Sequence, residues 1–318
     1  MDLIINQDMT DYAHLILPDY KRNMAEALGL APLTPTGTMA GQYMSFDEKM
    51  AFLIPDASRA AGGETADVQF NGKLVDYILK PNALKTFIDD EIEVPMAGVA
   101  GASLLEKARV ANLLSQGANA FTVSVFDTVI AATVAAAGKG NWADAAVDPL
   151  DEIDAGISKI EEDSGISPNV VTIAKPLWRM LVKHPKVIKR FPGKVGPITK
   201  ELVALELGQT DMQIDIVSGR GFRTGNLGKE GATTVPFMGN SCFVHYREPN
   251  PGPMSASFAA TLAQSDAMIE NVYEYTSLDG TKRFFRIRWA LKTVIKSKLL
   301  AYRIDKAVAA APAAAPAA

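Results

Sequence analysis

Along this chain, stretches with apolar residues at helical spacing alternate with short runs of β-branched and aromatic residues, the pattern of a mixed α+β protein. The clearest window runs from Gly140 to Gly193. Leu150, Ile153, Ile157 and Ile160 fall on one helical face, with Asp148 as N-cap and Pro149 at the first helical position. Asp151, Glu152 and Asp154 put negative charge at the positive end of the helix dipole, and Gly165 supplies a left-handed stop. After the Pro168-Asn169 turn, Val170-Val171-Thr172-Ile173 is expected to be a buried strand. Pro176 then opens a second helix, with Leu177, Met180 and Leu181 toward a core, and Pro185 helps to end it.

The same reasoning predicts elements on either side. A helix over roughly residues 98–116 has Leu104, Ala108, Ala111 and Leu114 on one stripe and Gly117 at its end. The alanine-rich run from Ala118 to Gly138 is about long enough to span a bilayer, but Asp127 near its middle makes it a buried element instead. Pro197 starts a helix with Ile198, Leu202 and Leu205 on one side and Gly208 beyond it. Met212, Ile214 and Ile216 alternate with Gln213, Asp215 and Val217 as in a strand, and SCFVHY at 241–246 is another. Val272 to Thr276 and Thr281 to Leu291 flank Ser277-Leu278-Asp279-Gly280 and form a hairpin. In its second strand Phe285, Ile287, Trp289 and Leu291 face one way and Arg286 and Arg288 the other. Burying those four side chains at ~1.5–3 kcal/mol each makes the hairpin a central stabilising element.

The remaining stretches carry little periodicity. Residues 1–46 include LILPDY and GLAPLTPTGTMAGQY and form either a disordered arm or an extended arm laid on a neighbour. From Asp47 to about Val94 the pattern turns to β. Asn71-Gly72, between Val68, Phe70 and the run Leu74, Val75, Tyr77, Leu79, is a strong hairpin signal, and AAGGET at 60–65 is an alternative loop tip. Residues 218–234 read as a long glycine-rich loop, and AVAAAPAAAPAA as a disordered tail.

Composition narrows the function classes. With 318 residues, 48% hydrophobic and 21% charged, the chain can bury one large core or two modest ones. A net charge of -4 excludes a simple polycationic DNA-binding protein. Cys242, the single cysteine, excludes an intramolecular disulfide framework and suits a reducing cytoplasm. The N-terminal MDLIINQDMTDYAHL lacks the basic start and apolar core of a signal peptide.

The common signatures of enzyme chemistry fail in detail. His14, His184 and His245 are far apart, and neither HExxH nor paired cysteines occur, so no metal ligand is assigned. His184, before a proline at a helix end, reads as a capping residue. Asp163-Ser164-Gly165 is half an aspartic-protease signature without a second copy, and Gly165 is already a helix stop. Gly219-Arg220-Gly221-Phe222-Arg223-Thr224-Gly225 has the wrong spacing for a dinucleotide fingerprint, and Gly228-Lys229 lacks the rest of a phosphate loop. No catalytic or cofactor-binding residue is assigned, and the chain is not read as an enzyme.

The ordered set Trp142, Asp148-Pro149-Leu150, Gly165, Pro168-Asn169, Val170 to Ile173, Trp178 and His184-Pro185 resembles the major capsid proteins of tailed bacteriophages, with their Hong Kong 97-like fold. The resemblance covers roughly residues 47–306. It implies an N-terminal arm (1–46) and an extended β-hairpin loop (47–94). A peripheral domain with a spine helix (95–141), an axial domain (142–253) and returning peripheral strands (254–306) follow, with the disordered tail at 307–318. It further implies a shell of hexamers and pentamers made by this chain alone, enclosing double-stranded DNA, in a virion assembled in the bacterial cytoplasm with no membrane. A separate scaffolding protein is expected, because the stretch before the extended loop is too short for a built-in one. A portal protein and decoration proteins are further expected partners. Some members of the family join subunits through a lysine–asparagine bond. Here Lys73, Lys80 and Lys85 lie in the extended loop without a matching partner motif and read as surface lysines. Two other readings stand beside this one: an encapsulin-type compartment of the same fold, and a soluble enzyme with its site at 218–234.

Charge is segregated along the chain. Asp144 to Asp163 is strongly acidic, and Lys175, Arg179, Lys183, Lys186, Lys189, Arg190, Lys194 and Lys200 follow with no acid between them. A second basic region runs from Lys282 to Lys306 with only Asp305 against it. These are solvated faces, complementary edges that meet between subunits, or, on the lumen side, contacts to DNA phosphates.

Overall fold

The computed structural model describes residues 4–47, 49–52, 72–91, 93–136, 140–192, 196–208, 211–221, 234–265 and 271–306. In chain order its elements are β1 (Ile4–Ile5), α1 (Gln7–Leu30), β2 (Leu33–Pro35), β3 (Ala40–Ser45), β4 (Lys73–Ile78), β5 (Lys80–Asp89) and α2 (Glu93–Ala132). Then come α3 (Pro149–Ser164), β6 (Val170–Ala174), α4 (Lys175–Lys183), α5 (Pro185–Arg190), α6 (Lys200–Glu206), β7 (Gln213–Val217), β8 (Arg220–Gly221) and β9 (Val235–Pro236). The chain closes with β10 (Ser241–His245), β11 (Ala259–Ala263), β12 (Val272–Thr276), β13 (Lys282–Ile295) and β14 (Ala301–Asp305). It divides into two compact units. One holds Met1–Tyr43, Asp76–Thr128 and Ala260–Val294; the other holds Met44–Val75, Val129–Ala259 and Ile295–Ala318.

In the first unit β13 organises a six-stranded sheet of order β1-β12-β13-β11-β2, with β5 as a further partner of β13. The predicted hairpin forms: β12 and β13 pair antiparallel from Val272↔Ile287 to Thr276↔Arg283, and Gly280 turns at φ 74°. Phe285, Ile287, Trp289 and Leu291 are all buried, as the alternation requires. Against this face lies α2, which runs unbroken from Glu93 to Ala132. The predicted helix over 98–116 and the alanine-rich run as far as Ala132 are therefore one helix, and Gly117 does not end it. A Cβ on Gly117 would stand 3.2 Å from Ile287 Cδ1 and 3.7 Å from the Trp289 ring, so the glycine lets helix and sheet approach. That contact also sets the phase of the buried stripe, which is Val110, Leu113, Leu114, Ala118, Phe121 and Val125, while Leu104 and Ala108 are exposed. Among the described residues no helix is long and apolar enough to cross a membrane.

The N-terminal stretch, expected to lack regular structure, contains a 24-residue helix. Asn6 caps it by accepting from the Met9 amide, and Met9, Ala13, Met24, Ala27 and Leu30 bury one face. Pro18, which cannot donate to the carbonyl four residues back, sits inside the helix, and the Pro/Gly/Thr-rich residues after Leu30 obscure its period. On either side of it β1 pairs with β12 and β2 pairs in parallel with β11.

The second unit is built on a four-stranded sheet of order β14-β10-β6-β7. The predicted buried strand is central there, antiparallel to β10 and parallel to β7, and every residue of β6 and β10 is buried. Helix α3 packs on β10 and β14, and α4 on β6 and β7. The predicted punctuation of α3 is present: Asp148 accepts from the Leu150 amide, Pro149 starts the helix, and Gly165 ends it at φ 71°. Its apolar face, Leu150, Ile153, Ile157 and Ile160, is buried. In α4 Leu177 and Leu181 are buried and Met180 is half-buried; Pro185, besides following that helix, opens α5. The α6 expectation is corrected. The helix starts at Lys200 rather than Pro197, and it packs on β7 through Val203 and Ala204, leaving Leu205 exposed.

Strands β3 and β4 form a two-stranded ribbon. The partner of the Leu74–Tyr77 strand is thus β3; the expected pairing with Val68 and Phe70, the Asn71 turn and AAGGET lie outside the described residues, as do most of the 218–234 loop and the tail.

Candidate assembly surfaces

Residues that marked the sequence as distinctive turn out to hold the second unit together. Trp142 is buried and its indole Nε1 donates to Glu152 Oε2 at 2.7 Å. Glu152 Oε1 in turn accepts from Lys306 Nζ at 2.8 Å, and Lys306 also donates to the Gly140 carbonyl. Asn169 clasps Arg247 twice, donating to its carbonyl and accepting from its amide, both at 2.8 Å. His184 is the capping residue expected, with Nδ1 accepting from the Lys186 amide while Nε2 meets the Asp144 carbonyl oxygen at 3.1 Å.

The structure reassigns many of the charges that sequence left as solvated faces, subunit edges or DNA contacts. Arg190 bridges Asp148 at 2.9 Å, Asp151, and Glu206 at 3.3 Å, joining α3, α5 and α6. Arg283 pairs with Asp90 at 2.8 Å and Glu106 at 2.5 Å. Arg303 Nη1 donates to the Ile130 and Thr133 carbonyls at the C-terminal end of α2, where a cation suits the helix dipole. Lys296 is fully buried, its ammonium donating to the Gly252 and Ser255 carbonyls, and burial pushes it down to about 8. These cations are engaged within the fold. Sequence missed them because their acceptors are distant in the chain and partly backbone.

Other groups do face outward. On the sheet of the first unit, Phe87, Phe284 and Tyr275 form one rung across β5, β13 and β12. The Phe87 and Phe284 centroids are 6.0 Å apart, and Tyr275 stacks on Phe284 at 4.9 Å. Lys85 sits over Phe284 at 5.1 Å and Lys282 over Phe87 at 5.3 Å, which makes this face aromatic and basic. In the same unit a cavity of about 540 Å³ is lined by Met24, Phe121 and Trp289 together with Arg286 and Arg288. Its described lining also carries the neutral polar side chains of Asn82, Gln264 and Ser265. On the β3–β4 ribbon Leu74 and Ile78 are exposed, and in the second unit so are Lys175, Arg179 and Lys183 of α4.

The three histidines stay apart in role. His245 is buried against Phe258, 5.7 Å between rings, with Nε2 3.0 Å from Thr172 Oγ1. Cys242 is buried and free, and burial raises its thiol far above the ordinary range. Ser164 donates to the Ile160 carbonyl as the helix ends, so Asp163-Ser164-Gly165 is a helix terminus. Among the described residues no cluster of three or more His, Cys, Asp or Glu could hold a metal ion.

No protein-family model matches the sequence, and no curated protein is detectably similar to it. Solved structures are. A phage-related protein of Bordetella bronchiseptica RB50 superposes with a TM-score of 0.69 at 18% identity, over 96% of this chain and 98% of that one. The mature capsid of bacteriophage PhiM1 gives a TM-score of 0.51 at 11% identity, over 87% of this chain and 85% of that one. A virus-like particle from Pyrococcus furiosus gives 0.51 at 10% identity, over 94% and 98%. Two units, one built on a long helix beneath a six-stranded sheet and one on a buried four-stranded sheet, thus make an α+β chain with the fold of phage capsid proteins.

Proposed function

We propose that this chain is the major capsid protein of a tailed phage, assembling through copies of itself into an icosahedral shell of hexamers and pentamers around double-stranded DNA. The observation that carries this reading is the shared fold with a phage-related protein over nearly the whole of both chains. A second feature agrees with it. The β3–β4 ribbon packs Tyr77 against Leu79, Ala260, Leu262 and Val294 and leaves Leu74 and Ile78 exposed on its other face, an apolar surface open to a neighbour. In this reading the first unit is the peripheral domain with α2 as its spine helix, and the second is the axial domain. The segment between β3 and β5 is the extended loop that reaches a neighbour. Residues 1–46, read from sequence as an arm, contribute α1 and two strands to the first unit, so locking between subunits falls to the extended loop. A separate scaffolding protein, a portal protein, decoration proteins and packaged DNA on the inner face complete the assembly. Its place is the virion, after assembly in the host cytoplasm.

Negative-stain electron microscopy of the purified chain, expressed alone and with its neighbouring genes, tests the proposal. Closed shells are expected, or tubes and aberrant shells where scaffold is missing. Monomers or dimers under every condition would overturn it. Shells that enclose a co-purified enzyme rather than DNA would replace the phage capsid with an encapsulin-type compartment.

A further inference from the structure

Two exposed stripes of opposite charge lie in the second unit, and none of their charged side chains forms an ion pair among the described residues. On α4, Lys175, Arg179 and Lys183 stand at i, i+4 and i+8, so they share one face. Their side chains form no ion pair or hydrogen bond among the described residues. On α3, Asp154, Glu161 and Glu162 share the exposed side with Ser158, and among the described residues only Glu161 of these three acids has a side-chain partner, accepting from the neutral Ser167 hydroxyl. At the helical rise, Lys175 to Lys183 and Asp154 to Glu162 each span about 12 Å. The two helices pack on different halves of the sheet, α3 on β10 and β14, and α4 on β6 and β7.

We propose that the basic stripe of α4 on one copy docks against the acidic stripe of α3 on the next copy. This rests on the shell-forming reading above and adds which residues make the contact and which way it points. Because the two patches differ, the contact is head-to-tail, and repeating it closes a ring when the rotation between copies is commensurate. A copy turned the other way would set α4 on α4 or α3 on α3, so the same charges oppose a self-complementary dimer. Three cations in a row also attract nucleic-acid phosphates. The matched acidic stripe of equal length and the net charge of -4 favour a second copy of this chain instead.

The test uses the full chain with charges reversed. The variant Lys175→Glu/Arg179→Glu/Lys183→Glu and the variant Asp154→Lys/Glu161→Lys/Glu162→Lys should each lower the assembled fraction about tenfold or more by sedimentation velocity, since every pair becomes repulsive. A variant carrying all six changes should assemble again. Independently, Ser158→Cys with Arg179→Cys should give, on oxidation, a ladder of disulfide-linked oligomers in a denaturing gel; Cys242 is buried and does not compete. The ladder reports the contact even where no shell closes. A ladder without shells from the unmodified chain would overturn the shell reading and leave the contact standing. Normal assembly of both reversed variants, or no ladder, would overturn the contact alone. Loss of binding to a labelled DNA duplex by the α4 variant, with assembly unchanged, would also overturn it and give the stripe to nucleic acid.

Discussion

Lys306 Nζ lies 2.8 Å from Glu152 Oε1, and the two side chains are only 3% and 4% exposed. The last described residue before the Ala/Pro tail is thereby tied into the helix that the sequence made most conspicuous. Trp142 and the Gly140 carbonyl complete the hydrogen bonding, so neither charge is left bare in the interior.

Breaking that pair from one side should be costly. Lys306→Met leaves the Glu152 carboxylate buried and unpaired and should destabilise the second unit by about 3–5 kcal/mol. Adding Glu152→Gln removes the stranded charge and should recover more than half of the loss. Urea unfolding of the two variants measures this, and a loss below about 1 kcal/mol for Lys306→Met would show that the pair is not isolated from water.

Gly156 lets α3 lie close against Tyr302 of β14. A Cβ there would stand 2.7 Å from Tyr302 Cδ1. Alanine gains roughly 1 kcal/mol of helix propensity. The ring must shift to admit it, at about 1–3 kcal/mol. Gly156→Ala should therefore lower the melting temperature although it replaces a helical glycine, and a rise would mean that Tyr302 yields freely.

His245 should make the chain acid-sensitive. Burial first, and the nearby Arg247 second, hold its imidazole down to about 3 from the usual 6.5. Below pH 6.5 the unfolded chain takes up a proton that the folded chain refuses, so stability is complete above 6.5 and falls toward pH 3. At 1.36 kcal/mol per pKa unit the loss is on the order of 3 kcal/mol by pH 4. Thermal melts between pH 7 and 4 should show a shallower decline for His245→Leu than for the unmodified chain. Parallel declines would rule this histidine out as the source.

Removing residues 1–46 should unfold part of the first unit. The deletion takes away β1, β2 and the buried face of α1, and so uncovers two edges of the six-stranded sheet. Hydrogen exchange should lose protection in β11, β12 and β13 while β6 and β10 keep theirs. Full protection of β12 and β13 after the deletion would return these residues to the role of an arm outside the fold of the first unit.

By itself, the sequence determined the elements whose signals are local. Asp148, Pro149 and Gly165 punctuate α3 through their own backbone and side-chain chemistry, and the alternation of Phe285, Ile287, Trp289 and Leu291 sets a strand face whatever it packs on. The ordered markers from Trp142 to Pro185 carried the family resemblance, and the fold shared with phage proteins agrees with it. Tertiary structure decided what depends on distant partners. Gly117 reads as a helix stop until Ile287 and Trp289 are found beside it, and residues 1–46 read as an arm until α1 is found with one face buried in the first unit. The basic residues divide in the same way. Arg190, Arg283, Lys296, Arg303 and Lys306 are committed to acceptors between 16 and 193 residues away, while Lys175, Arg179 and Lys183 remain on the surface. Charge count is a property of the chain, but availability of a charge is a property of the neighbours that folding brings to it.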